Sequence, residues 1–114
     1  MVPHTSVIIK DGKIEDIISH DKLRTMEFPK DTTMIYVNGA YIAPEFINTH
    51  IQGIHGFDTS DASSESILEM SKALVDYGVT AFCPTLYPQE HDKFISCISA
   101  INETMGQEED AKIF

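Results

Sequence analysis

The sequence predicts an α/β fold, and three observations carry that expectation. The first 43 residues contain two strand–turn–strand patterns, VIIK-DG-KIEDII and MIYV-NG-AYIA. From Pro44 onward, short apolar runs alternate with longer segments of helical periodicity. The 114 residues are 42% hydrophobic and 23% charged, values typical of a folded globular domain.

Asp11-Gly12 suits the positive backbone angles of a two-residue hairpin, and Asn38-Gly39 repeats the signal. Residues 19–33 are polar and include Pro29, so they read as a connection. Pro44 closes the second hairpin, because it cannot donate to a sheet ladder. FINTHI then reads as a short strand, and GIHGFDTSDASS as a loop of glycines and small polar residues. A helix is expected from about Ser64, capped by Ser63 or Ser64, with Glu65 favourably placed in its first turn. Ile67, Met70, Leu74 and Tyr77 recur along one face, and Gly78 is its natural stop. VTAFCPTL is apolar on both faces, the pattern of a covered parallel strand. A second helix places Phe94, Ile98, Ile101 and Met105 on one face and ends at Gly106. Ala111-Lys112-Ile113-Phe114 begins another strand. Two segments are therefore expected: 1–43, built from two hairpins, and 44–114, built from βα units with right-handed crossovers.

Eight basic residues against eighteen acidic ones give a net charge of -10. Such a chain is poorly suited to nucleic acid or to an anionic membrane surface. No apolar run approaches the ~20 residues of a membrane span, and MVPHTSVIIKDGK lacks the features of a signal peptide. Cys83 and Cys97 fall in a buried strand and an amphipathic helix, so they read as free core thiols in a reducing cytoplasm rather than a disulfide, and neither has a Cys or His partner at metal-ligand spacing.

The chemistry-bearing stretch is APEFINTHIQG, residues 43–53. His50 and Gln52 are two apart, so on a strand they share a face and could touch one metal ion. His55, in the glycine-rich loop, is a candidate for a substrate pocket, against an ordinary loop histidine. Asp58 is a second pocket candidate; with Asp61 it could form an acid/base pair, or cap a helix in a solvated loop. His4, His20 and His91 have no ligand-spaced neighbours, and no phosphate-loop glycine pattern is present.

Pro-x-Phe-Ile-x-x-His-x-x-Gly entering a βα repeat resembles the start of the amidohydrolase superfamily. The run from Tyr41 to Pro88 is most similar to its N-acetylglucosamine-6-phosphate deacetylase branch. The supporting residues are His50, the Gly53-Ile54-His55-Gly56-Phe57-Asp58 loop, and Gly78-Val79-Thr80 leading into Pro84-Thr85-Leu86. The resemblance implies a small β-sandwich segment followed by the first two βα units of a (β/α)8 barrel, here incomplete. It implies an enzyme that hydrolyses the acetyl amide of an amino-sugar phosphate with a divalent metal, zinc or iron. It also implies an acidic ligand, further histidines and a catalytic aspartate on later strands.

Those positions are absent from this chain, so no catalytic residue is assigned. The superfamily motif is Pro-Gly-Phe-Ile-Asp-x-His-x-His-Gly, and here Glu45, Asn48 and Gln52 replace its glycine, its aspartate and its second histidine. Glutamine is a weak, neutral ligand, so no tightly bound cofactor is expected. A barrel of this type needs about 250 residues, so the chain reads as an N-terminal fragment, inactive alone. The alternatives are a non-catalytic, self-associating remnant or a piece of a dihydroorotase-like relative. Expected partners are the amino-sugar phosphate in a complete enzyme, and either a second copy of this chain or a complementary one.

Overall fold

The computed structural model describes residues 3–114; Met1 and Val2, which the sequence reading places in the N-terminal segment, lie outside the described residues. The chain divides into two compact units, one running to Tyr41 and the other spanning Ile42–Phe114.

In the first unit, β1 (Thr5–Lys10) and β2 (Lys13–Ser19) pair antiparallel across the Asp11-Gly12 turn. Both turn residues have positive φ, +50° and +72°, as a tight hairpin with right-handed strand twist requires. A four-residue helix, α1 (His20–Leu23), follows within the expected connection; the Ser19 hydroxyl caps it by accepting the Lys22 N–H. The second hairpin is a correction to the sequence reading. The Asn38-Gly39 turn forms, with φ of +48° and +85° and a Val37–Ala40 backbone bond of 2.9 Å, but no strand pairing flanks it. Ile35 and Tyr36 stand exposed beside the turn. Two strands with nothing packed on their apolar face are marginal in water, so the turn chemistry acts without a ladder to extend it.

The second unit holds the main core. β3 (Phe46–Ile51), β6 (Val79–Pro84) and β7 (Lys112–Ile113) form a parallel sheet in that order. Between β3 and β6 lie a short hairpin, β4 (Gly53–Ile54) with β5 (Phe57–Asp58), and helix α2 (Ser64–Val75). Helix α3 (His91–Thr104) connects β6 to β7. Phe82, at the centre of β6, is fully buried against Ile67, Met70 and Leu74 of α2, and Ile101 of α3 packs on the same cluster. Both helices therefore cover one face of the sheet. The opposite face carries Ile47, Ala81 and Lys112 in register.

The Ser63 hydroxyl caps α2 by accepting the Ser66 N–H, and Gly78, at φ +73°, lets the chain turn back into β6. The buried side of α3 is Cys97, Ala100 and Thr104. This differs from the expected Phe94–Ile98–Ile101–Met105 face, of which Ile101 alone packs on the main cluster. Small side chains let α3 sit close to its neighbours, so the bulkier stripe lies to one side. The molecule is thus a mixed α/β protein with parallel and antiparallel sheets, and it is not a closed barrel.

Candidate functional site

The candidate residues lie at and beyond the carboxyl end of β3. The β3–β6 register shifts between Asn48 and Ile51, three residues on one strand matching two on the other. This is a bulge of the kind that re-aims side chains near functional sites. The Asn48 Oδ1 accepts the His50 N–H at 3.1 Å within it. His50 and Gln52 are both exposed beside the bulge, and the Gln52 carbonyl accepts the Thr59 N–H at 2.7 Å.

The segment read as an open loop is more ordered than the sequence suggested. His55 and Gly56, with φ of +54° and +88°, form the turn of the β4–β5 hairpin. Gly53 is required there, since a Cβ would lie 2.6 Å from the Phe57 carbonyl oxygen. Ile54 and Phe57 pack on the cluster that contains the buried face of α2. The hairpin tip is fixed by a 2.9 Å hydrogen bond between His55 Nε2 and the Tyr77 hydroxyl, with the rings edge-on. Tyr77 lies just before β6, so this bond ties the hairpin tip to the turn between α2 and β6.

Asp58 has a structural duty as well. Its carboxylate accepts the Ser60 N–H at 2.7 Å, while Asp61 accepts the Asp58 N–H at 2.9 Å, a reciprocal cap on the short 3-10 turn Thr59–Asp61. The backbone N–H of Asp58, helped by the Ser66 hydroxyl, holds the Asp61 carboxyl below its ordinary range.

Two residues that the sequence reading passed over anchor this end of the sheet. Thr59 is buried, and its hydroxyl donates to the Thr85 carbonyl at 2.9 Å, while the Thr85 N–H bonds the Ile51 carbonyl at 2.8 Å. Ser60 is buried beside it, and its Oγ has no hydrogen-bond partner among the described residues. Small polar residues in a loop give no sequence signal for this role; the contact spans 26 positions and is set by the fold.

His50, Gln52, His55 and Asp58 all line one open concavity of about 660 Å³. The structure thus gathers all four candidates, though His55 and Asp58 already have partners. Among the described residues, no group of three or more His, Cys, Asp or Glu side chains converges as a metal site requires. The donors present do not fit a complete metal site. Both cysteines are free, Cys97 buried and Cys83 half-buried. No helix among the described residues is long and apolar enough to cross a membrane.

By fold, this is an α/β protein whose candidate site sits at the carboxyl end of a parallel strand, the usual place for one in such sheets. By sequence, it is similar to N-acetylglucosamine-6-phosphate deacetylases. The Bacillus subtilis protein of that name is 30% identical over 105 residues, 89% of this chain and 24% of the relative. The Lysinibacillus sphaericus protein is 32% identical over 88 residues, 77% of this chain and 21% of the relative. The Danio rerio protein is 44% identical over 81 residues, 68% of this chain and 19% of the relative. The chain therefore spans 19–24% of the length of these relatives. No protein-family model matches it.

Proposed function

We propose that this chain is the N-terminal part of a metal-dependent N-acetylglucosamine-6-phosphate deacetylase. It would supply the β-sandwich segment and the first two βα units of a (β/α)8 barrel. The complete enzyme would hydrolyse the acetyl amide to give glucosamine 6-phosphate and acetate. The observation that carries this reading is the similarity to deacetylases over up to 89% of the chain but no more than 24% of each relative. The sheet supports it. Strand order β3-β6-β7 follows the sequence, with both helices on one face. A sheet that grows one strand at a time in one direction with crossovers of one hand does this, as a barrel does; a doubly wound sheet reverses.

The metal, when held by a complete barrel, would lower the pKa of a bound water and polarise the amide carbonyl. This chain's contribution would be His50, with Gln52 a weak neighbour, and the bulge that sets their position. His55 and Asp58 would shape the pocket wall through the hairpin and the capped turn. With its candidate donors short of a ligand set, the chain alone is expected to be inactive. The two free thiols suit a reducing compartment, so the cytoplasm is its proposed location. The names of the relatives favour the deacetylase branch over a dihydroorotase-like one.

Acetate release from N-acetylglucosamine 6-phosphate, with zinc, iron or cobalt added, tests this directly. The isolated chain should give none. Turnover that His50→Ala abolishes would overturn the fragment reading.

A further inference from the structure

The N-terminal unit contains two turns of like geometry in unlike settings. Asp11 and Gly12 have φ of +50° and +72°, and Asn38 and Gly39 have +48° and +85°. The first turn is clamped by the Lys10–Lys13 pair and the rest of the β1–β2 ladder. The second is spanned by the Ala40 N–H to Val37 carbonyl bond, with no strand beside it among the described residues. Residues 31–47 are exposed throughout. Exposed backbone with few contacts opens at little cost in free energy.

We propose that Asn38 is a site of spontaneous covalent modification, passing through a succinimide to isoaspartate and aspartate. The Gly39 N–H gives up its proton to a base in solution, and the nitrogen attacks Cγ of the Asn38 side chain. A bond from the Gly39 nitrogen to Cγ forms, the bond from Cγ to the side-chain amide nitrogen breaks, and ammonia leaves. Water then opens the five-membered ring. Attack at the side-chain carbonyl gives aspartate, and attack at the main-chain carbonyl gives isoaspartate. The balance is asparagine plus water to a carboxylic acid plus ammonia, with no oxidant or reductant.

Glycine matters because no Cβ obstructs its nitrogen as it approaches Cγ. The setting matters because the side chain and that nitrogen must swing together, which a turn held shut by a ladder resists.

The same two requirements exclude the other candidates. The chain's remaining asparagines are Asn48 and Asn102. The Asn48 Oδ1 is engaged by the His50 N–H at 3.1 Å, and the β-branched Thr49 follows it. Asn102 lies within α3, where the Glu103 N–H is committed to the helix. Asp11 shares the turn geometry, but an ionised carboxylate is a poor electrophile and the ladder holds that turn closed.

The product differs from its parent in two ways. Each event adds a carboxylate to a chain already at -10. Isoaspartate also routes the main chain through the side-chain CH2, so the paired positive φ angles of this turn cannot re-form. The inference does not rest on the deacetylase reading.

The test is incubation of the full chain at mildly alkaline pH, followed by peptide mapping with fragmentation that separates isoaspartate from aspartate. Position 38 should accumulate the mass gain of exchanging NH2 for OH, mostly as isoaspartate, while Asn48, Asn102 and Asp11 stay intact. A synthetic peptide spanning residues 34–42 sets the rate of the unfolded segment. With an opening free energy near zero, the folded chain should react within about threefold of that peptide. A Cβ at Gly39 meets nothing within 4 Å, so alanine fits there without a clash, though φ +85° is strained for it. Gly39→Ala therefore loosens the turn while obstructing the nitrogen, and the modification should be lost. Asn38 protected roughly tenfold or more relative to the peptide, equal reaction at Asn48, Asn102 or Asp11, or modification that persists in Gly39→Ala would each overturn the proposal.

Discussion

Glu108 is a carboxylate with only 4% of its surface exposed, and its Oε1 accepts the Ile113 N–H at 3.0 Å. Burial works to raise its pKa, but backbone N–H groups, that of Ile113 foremost, and the Lys112 ammonium outweigh burial and hold it below the ordinary glutamate range. A folded-state pKa below the unfolded one means the stabilisation is present above the unfolded value and is lost as pH falls through the folded one. Glu108→Ala should therefore cost about 1–3 kcal/mol at neutral pH, as expected for a buried bond to a charged group. In urea titrations against pH, the difference from the parent chain should shrink only below about pH 4.5. A difference that stays constant down to the acid limit would show that Glu108 acts through packing alone. Single residues were unevenly legible in the sequence. Asp58 and Asp61, three apart beside small polar residues, carried a capping signal that the structure displays. The His55–Tyr77 bond joins residues 22 apart, and no local pattern announces such a contact.

The β4–β5 hairpin is the element on which the candidate site depends, and Gly53 is its tightest point. A Cβ there would meet backbone rather than a flexible side-chain end. Gly53→Ala should destabilise the chain by about 1–3 kcal/mol, the range for overpacking, and loosen amide-exchange protection at Thr59. Tyr77→Phe removes the bond at the hairpin tip and should cost about 0.5–1.5 kcal/mol in urea titrations. If neither variant lowers stability, the hairpin is not anchored as described. Helix α2 could be read closely from sequence because its cap, its 67–70–74 spacing and its terminal Gly78 agree; Tyr77, expected on the same face, instead lies past the helix end at Val75 and is 60% exposed. The hairpin escaped notice because strands of two residues show no alternation, and His-Gly is a less familiar turn pair than Asn-Gly. The Asn38-Gly39 turn erred in the other direction: the local chemistry was right, but a ladder needs covering elements that turn residues cannot supply. For α3 the apolar period was correct, while the buried side was chosen by the small residues Cys97, Ala100 and Thr104.

Across the whole molecule, charge is lopsided. Twelve of the eighteen carboxylates lie in residues 42–114, accompanied by only Lys72, Lys93 and Lys112. The alternation of strand and helix made the parallel sheet legible, whereas its number of strands and its closure depend on residues beyond the motifs. On the sheet face bearing Ile47 and Ala81, Ile47 is 52% exposed, although parallel sheets are ordinarily covered on both faces. In the proposed enzyme, the remaining strands of the barrel would close over that face. A chimera tests this central claim most directly: the chain fused to the part of the Bacillus subtilis relative that it does not match, assayed for acetate release from N-acetylglucosamine 6-phosphate with added divalent metal. The account predicts turnover by the chimera, its loss in His50→Ala, and none from either piece alone. A folded, metal-loaded chimera that releases no acetate would contradict it.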